Sequence, residues 1–360
     1  MQSRSVVIDV TKGYAILLVV LGHAVQYNTP QFAHVFLFKY IYSIHMPLFM
    51  YVSGWVSYNG KPYTIHKLYN RVAQLIIPFL VWAFIKLLVD VFIYQKYASI
   101  GLQGFAQYIY NTCKYPDSGL WFLWVLFLCN VVLYLSQLIT RQYVLLGLLF
   151  FLFLLNALAS IFHVTLFGLG LLSWYLVFFG LGFALRKWYV SFSHSSVQVD
   201  SYISQAHSPR RKKILKVIKI LAAVLYLPLL LLWNWKGAPA FITNLPFPHL
   251  VISVLALGYK LLVPITGIFF TIYTLQLVVA CNKKIAIALA YLGSITLPIY
   301  AIHYYFIHLS VKFFAAPSVV TVNNFGLKVF LTFIIALFGA VVVYLIVNCI
   351  KFLRVPLWGK

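Results

Sequence analysis

The sequence predicts an all-α protein, a polytopic transmembrane helix bundle of about ten membrane spans with both termini cytoplasmic. Three observations carry this. Of 360 residues, 63% are hydrophobic and 9% charged, against about a quarter charged in a soluble domain, so the chain lacks the polar side chains to clothe a globule in water. Apolar runs of about 20 residues, each long enough to cross about 30 Å of hydrocarbon, recur from end to end with no hydrophilic domain between them. Lys and Arg collect in alternate inter-helix segments, the pattern expected where basic loops stay in the cytoplasm.

The spans fall in order near 7–27, 38–57, 74–95, 119–137, 142–162, 165–185, 214–233, 250–281, 286–309 and 325–350. The first reads as a retained helix, because Asp9, Lys12 and His23 interrupt what would be the apolar core of a secretory signal. The second carries Pro47, which distorts it, and Ser53 with Gly54, which let a neighbour approach. In the third, Lys86 and Asp90 stand four apart and neutralise one another. The eighth is too long for one simple crossing and holds Lys260 and Pro264, so it is expected to begin as an interfacial or re-entrant piece. The whole of 1–360 is read as one membrane domain, with a polar cytoplasmic linker near 187–213 whose basic run faces water or membrane lipids.

Topology also accounts for the net charge of +23. Under this arrangement Lys39, Lys96, Lys114, Lys236, Lys312 and Lys328 face the outside, Lys86 and Lys260 lie inside spans, and the remaining Lys and Arg are cytoplasmic. A nucleic-acid partner is therefore not needed to explain the basicity. The four cysteines, Cys113, Cys129, Cys281 and Cys349, are widely spaced and suggest neither a metal knuckle nor a disulfide framework. No repeat at the level of motifs is visible, which weakens a transporter built of duplicated halves.

The chemistry concentrates in three segments. The first, DVTKGYAILLVVLGHAVQY, places an acid, a base and an imidazole in one membrane helix, where ionisable groups are costly. At about 100° per residue, Lys12 and His23 lie within about 20° of one another and about 16 Å apart along the axis, with Asp9 about 40° from His23. One stripe thus joins the cytoplasmic mouth to the outer half of the membrane. Asp9 and Lys12 also fit a plain ion pair at the helix entrance. The second segment, IYSIHMPLFMYVSGW, brings His45 to a depth near that of His23; the third, LGSITLPIYAIHYYFIH, brings Tyr300 and His303 there. Three histidines at one level point to a site, although each alone also fits interhelical packing or the interfacial belt.

These segments together resemble the acyltransferase 3 family of integral membrane O-acyltransferases, and within it the fucose 4-O-acetylase-like branch. Four pieces carry the resemblance: IDVTKGYAILLVVLGHA at 8–24, IYSIHMPLFMYVSGW at 41–55, RVAQLIIPFLVW at 71–82 with LWFLWVLF at 120–127, and LPIYAIH at 297–303. The family's pattern of a basic residue, ten residues and a histidine falls on Lys12 and His23. The resemblance implies that His23 is the catalytic base, that Lys12 helps hold the acyl donor, and that Asp9 matches the acidic position before them. Where the family often has a second arginine after the one matched by Arg71, this chain has Gln74 and Leu75. The implied setting is a multi-pass protein of the bacterial inner or plasma membrane.

The residues themselves agree with that chemistry. An imidazole such as His23 can take the proton of a weakly acidic hydroxyl as it attacks a thioester. Lys12 and Arg71 suit the phosphates of acetyl-CoA, the expected donor. An oxyanion needs donors, for which His45, His303, Tyr300 and Trp121 are candidates, with Asn156 a further one. The acceptor is expected to be a hydroxyl of a sugar or glycan, touched by His303, Tyr300 and Trp121, with no metal. Two other classes share these features: a flippase or transporter of a lipid-linked glycan, and a haem or metal protein liganded by His23, His45 and His303.

Overall fold

Every regular element of the computed structural model is helical among the described residues, which are 6–92, 102–115, 120–139, 147–152, 166–195, 209–234, 239–315 and 324–359 with isolated positions at 144, 154 and 237. Most of the expected span at 142–162, with Asn156, and the centre of the polar linker lie outside them. Among the described residues, six helices are long and apolar enough to cross a membrane, or up to seven if a bent pair is one span. The helices are α1 (Val6–Asn28), α2 (Phe36–Ser57), α3 (Ile65–Arg71), α4 (Ile77–Phe92), α5 (Leu102–Lys114), α6 (Trp121–Ile139), α7 (Leu169–Ser195), α8 (Pro209–Leu231), α9 (His249–Cys281), α10 (Lys283–Ser294), α11 (Thr296–Ala315), α12 (Phe325–Asn348) and α13 (Arg354–Trp358).

Three elements differ from the sequence expectation. The helix at 249–281 runs unbroken through Pro264 for 33 residues, about 50 Å, so of the interfacial or re-entrant start that was expected it lacks the break a re-entrant piece would need; length beyond the bilayer is accommodated by tilt. The expected span at 286–309 is instead two helices, α10 and α11, bent by 81°. The break at Ile295, with φ −119° and ψ 28°, follows from Pro298, which fits only the first turn of a new helix, where its missing N–H is not required. α2 is not among the six apolar helices, because Lys39, Ser43, His45 and Pro47 dilute it.

The chain divides into two compact units. The first, Met1–Val52 with Ser191–Val343, holds α1, most of α2 and α8 to α11 with most of α12. In it α1 crosses α10 closely: a β-carbon at Gly13 would run into the Leu289 carbonyl, and one at Gly293 into the Asp9 carbonyl. Small residues allow this approach, which is how membrane helices gain packing where lipid offers no hydrophobic drive. Leu18, Ile41, Ile44, Tyr226, Leu230 and Val263 form a buried core joining α1, α2, α8 and α9. A second cluster, Ala24, Val25, Phe38 and Val329, ties α1 and α2 to α12. By contrast Phe330 and Phe338 of α12 are 57% and 69% exposed, apolar surface for which hydrocarbon is the fitting solvent.

The second unit, Ser53–Val190 with Tyr344–Lys360, holds α3 to α6, most of α7 and the C-terminal α13. Thr64 caps α3 by accepting from the Lys67 N–H. Between α3 and α4 one π-helical turn spans Val72–Ile76, a form that appears mostly as single-turn bulges. α13 docks on α4, with Trp82 Nε1 donating to the Leu357 carbonyl at 3.2 Å. Gly359, at φ 64°, closes against the Gln74 backbone, a conformation and an approach that a side chain would forbid.

Candidate active site

His23 sits near the C-terminal end of α1, preceded by Gly22. A β-carbon at Gly22 would lie 2.9 Å from Ile41 Cγ2 and 3.1 Å from the Tyr42 ring, so the glycine admits α2 beside the imidazole. His23 Nδ1 is 3.2 Å from Gln26 Oε1, three residues on and hence on the same helix face. The same oxygen accepts from the Tyr42 phenol at 2.6 Å. An amide oxygen only accepts, so the imidazole proton is on Nδ1 and Nε2 keeps its lone pair. A phenol, an amide and an imidazole thus form one chain that fixes the ring and its tautomer.

The other two histidines join it from different helices. The His303 ring of α11 lies 5.3 Å from that of His23, tilted by 35°. His45 is 4.7 Å from Tyr42, whose ring is 6.5 Å from His23. Each is bonded through Nδ1 to the carbonyl one turn back, His45 to Ile41 at 2.8 Å and His303 to Ile299 at 2.9 Å. Their Nε2 atoms are therefore acceptors. The sequence put oxyanion donors on these two histidines; with their protons committed to backbone carbonyls, neither neutral ring can donate from Nε2. Tyr300, half-buried, has its ring 6.2 Å from that of His303. One turn further along α1, Tyr27 donates to the Tyr304 hydroxyl at 2.9 Å, and both rings pack on His308.

The other sequence-predicted residues have neighbours of their own. Asp9 is 14 residues before His23 on the same helix, about 21 Å along it, so the group orienting the imidazole is Gln26. Asp9 is 8% exposed and pairs with Lys12 at 3.8 Å. Ile16 and Val19, between Lys12 and His23 on their common face, are buried; that stripe is packed. Lys86 and Asp90 make an ion pair at 3.9 Å. Trp121 and Arg71 belong to the second unit. Trp121 stacks on Tyr175 at 5.0 Å. The Arg71 guanidinium donates to Gln74 Oε1 at 2.8 Å, so the residue standing where the family often has arginine serves as its acceptor. Burial raises the Tyr63 phenol above the usual tyrosine range, opposed by neighbouring Arg71; it stays a neutral donor, to Asn130 Oδ1 at 2.7 Å.

Sequence reasoning missed Gln26, Tyr42, Tyr27, Tyr304 and His308. The first two carried a signal, lying three residues from His23 and His45 respectively. The others look like ordinary members of an interfacial aromatic belt. Among the described residues, no group of three or more His, Cys, Asp or Glu is arranged to hold a metal ion.

With this geometry in view, comparison with known proteins is informative. The sequence model of the acyltransferase 3 family, described as an acyltransferase domain, matches residues 6–348. The chain belongs to that family. It is 35% identical over 131 residues to the nodulation protein NolL of Sinorhizobium fredii, a match covering 34% of each chain. With NolL of Mesorhizobium japonicum it shares 39% identity over 88 residues, 22% of this chain and 23% of that one. The chain therefore spans about a third or less of the length of the curated relatives it matches. No solved structure matches. Family and apolar helices together make this a multi-pass membrane protein.

Proposed function

We propose that this protein is an O-acyltransferase that moves an acetyl group from cytoplasmic acetyl-CoA to a hydroxyl of a carbohydrate, with His23 as general base. The observation that carries the reading is the hydrogen-bonded imidazole of His23, its Nδ1–H held by Gln26 and its Nε2 lone pair left for a substrate, in a chain whose family is one of acyltransferases. His23 Nε2 removes the hydroxyl proton as the acceptor oxygen bonds to the thioester carbonyl carbon. The imidazolium so formed is stabilised through Nδ1–H by the amide oxygen of Gln26, which Tyr42 holds in place. As the C–S bond breaks, His23 returns the proton from Nε2 to the departing thiolate, leaving an ester, free CoA and a neutral imidazole. Tyr300 is the donor assigned to the oxyanion. Lys12 and Arg71 are assigned to the CoA phosphates, in keeping with the bidentate or point-charge pairing such groups favour. His45, buried behind Tyr42, acts as a positioning residue for it.

The reading is tested by following CoA release and acetylated product in nanodiscs with acetyl-CoA and a panel of methyl glycosides. The expected result is acceptor-dependent turnover that falls about 100- to 10,000-fold in His23→Ala, the range for loss of a general base. Equal rates in wild type and a folded His23→Ala would refute His23 as the base. No turnover with any glycoside, together with no binding of acetyl-CoA, would favour transport of a lipid-linked glycan.

A further inference from the structure

We propose that the acceptor of this site is a vicinal diol of a sugar ring, the hydroxyl to be acylated held by His23 Nε2 and the adjacent hydroxyl by His303 Nε2. The inference rests on the acyl-transfer reading above. It begins from His303, which is 3% exposed and whose Nδ1 is bonded to the Ile299 carbonyl, while Nε2 is buried without a hydrogen-bond partner. Buried polar atoms of folded proteins are overwhelmingly paired, and one left without a partner calls for a donor from elsewhere. His23 cannot be that donor, because its own proton is spent on Gln26. Nor can the neighbouring phenols of Tyr42 and Tyr27, which donate to Gln26 and Tyr304.

The His23 and His303 rings are 5.3 Å apart from centroid to centroid, and each keeps an Nε2 lone pair. One hydroxyl has one proton and serves one nitrogen. Two hydroxyls on adjacent carbons stand about 2.8 Å apart, one hydrogen-bond length, and each reaches its own nitrogen over a similar distance. An isolated alcohol would satisfy His23 and leave His303 unpaired, so the pair selects a diol over a lone hydroxyl. The Tyr27 ring one turn further along α1, with those of Tyr304 and His308, adds an apolar wall for the C–H face of the ring.

The test compares a methyl glycopyranoside that the wild type acetylates with its monodeoxy derivatives, in wild type, His303→Phe and His303→Gln. Deleting the hydroxyl next to the acylated one is expected to lower wild-type kcat/KM about 10- to 100-fold, since a polar site rejects an analogue that leaves its groups unpaired. In His303→Phe the same deletion is expected to change kcat/KM less than about 2-fold, with sensitivity partly restored in His303→Gln, whose amide oxygen accepts. Equal use of diol and deoxy sugar by the wild type, or equal discrimination in wild type and His303→Phe, would overturn the proposal. If His303→Phe does not fold, the wild-type comparison alone decides. Acetylation of no glycoside by the wild type, with His23→Ala indistinguishable from it, would instead remove the acyl-transfer reading and the diol with it.

Discussion

Replacing Gln26 by leucine isolates what the amide contributes to His23 without touching the base. In the ground state the amide oxygen accepts from a neutral imidazole at 3.2 Å and from Tyr42 at 2.6 Å. When His23 takes the hydroxyl proton, the first bond becomes charge-assisted. A neutral hydrogen bond contributes about 0.5–1.5 kcal/mol net and one to a charged group about 1.5–3, so the bond strengthens on the way to the transition state by about 1–1.5 kcal/mol. At about 1.36 kcal/mol per factor of ten, Gln26→Leu is expected to lower kcat about 5- to 15-fold. The change in KM for acetyl-CoA is expected to be small, because the lost interaction belongs to the transition state. Gln26→Glu keeps an oxygen for both donors and is expected to retain most of the activity. The assay is CoA release at saturating acetyl-CoA and glycoside in nanodiscs, with thermal unfolding of each variant measured alongside. A folded Gln26→Leu protein with kcat within about 2-fold of wild type would refute the role given to the His23–Gln26 bond.

Three further outcomes follow from the packing and the charges. Gly13→Val puts side-chain atoms into the Leu289 carbonyl, a backbone atom that cannot swing aside, and is expected to destabilise the protein by about 3 kcal/mol or more, read as a lowered unfolding midpoint in detergent; an unchanged midpoint would mean that α1 and α10 do not cross there. Lys12→Met removes the ammonium 3.8 Å from the buried Asp9 carboxylate and should destabilise more than the Asp9→Asn, Lys12→Met double substitution; a double variant less stable than the single one would show that this pair is not the reason Asp9 is tolerated. Arg71→Ala is expected to raise the KM for acetyl-CoA about 10-fold or more with kcat nearly unchanged, the signature of lost phosphate binding, and a fall in kcat at constant KM would place Arg71 elsewhere in the reaction.

The histidines show where reading the sequence succeeded and where it stopped. Helical geometry, through its fixed rise per residue, expects His23, His45 and His303 at one level, and the rings of His23 and His303 do meet while His45 reaches them through Tyr42. Helical geometry cannot choose the nitrogen that carries the proton, since that depends on Gln26, Ile41 and Ile299 being within reach. Asp9 shares a face with His23, and the sequence fits it both to that polar stripe and to an ion pair with Lys12; the structure shows the ion pair, at 3.8 Å. The break between α10 and α11 was hidden because Leu292 to Ile299 is apolar throughout except at Ser294 and Thr296, and hydropathy reports solvent, not direction.

The sequence alone therefore determined the solvent and the local form of this protein: few charges and long apolar runs require hydrocarbon, and hydrocarbon requires helices whose backbone groups are satisfied internally. It also determined the family, through motifs set by spacing along single helices. Only the tertiary structure decided which of those helices meet. The glycines that let α1 touch α10 and the bend that starts α11 anew bring His303 against His23, because such contacts depend on interhelical shape, to which no period in one strand of sequence gives access.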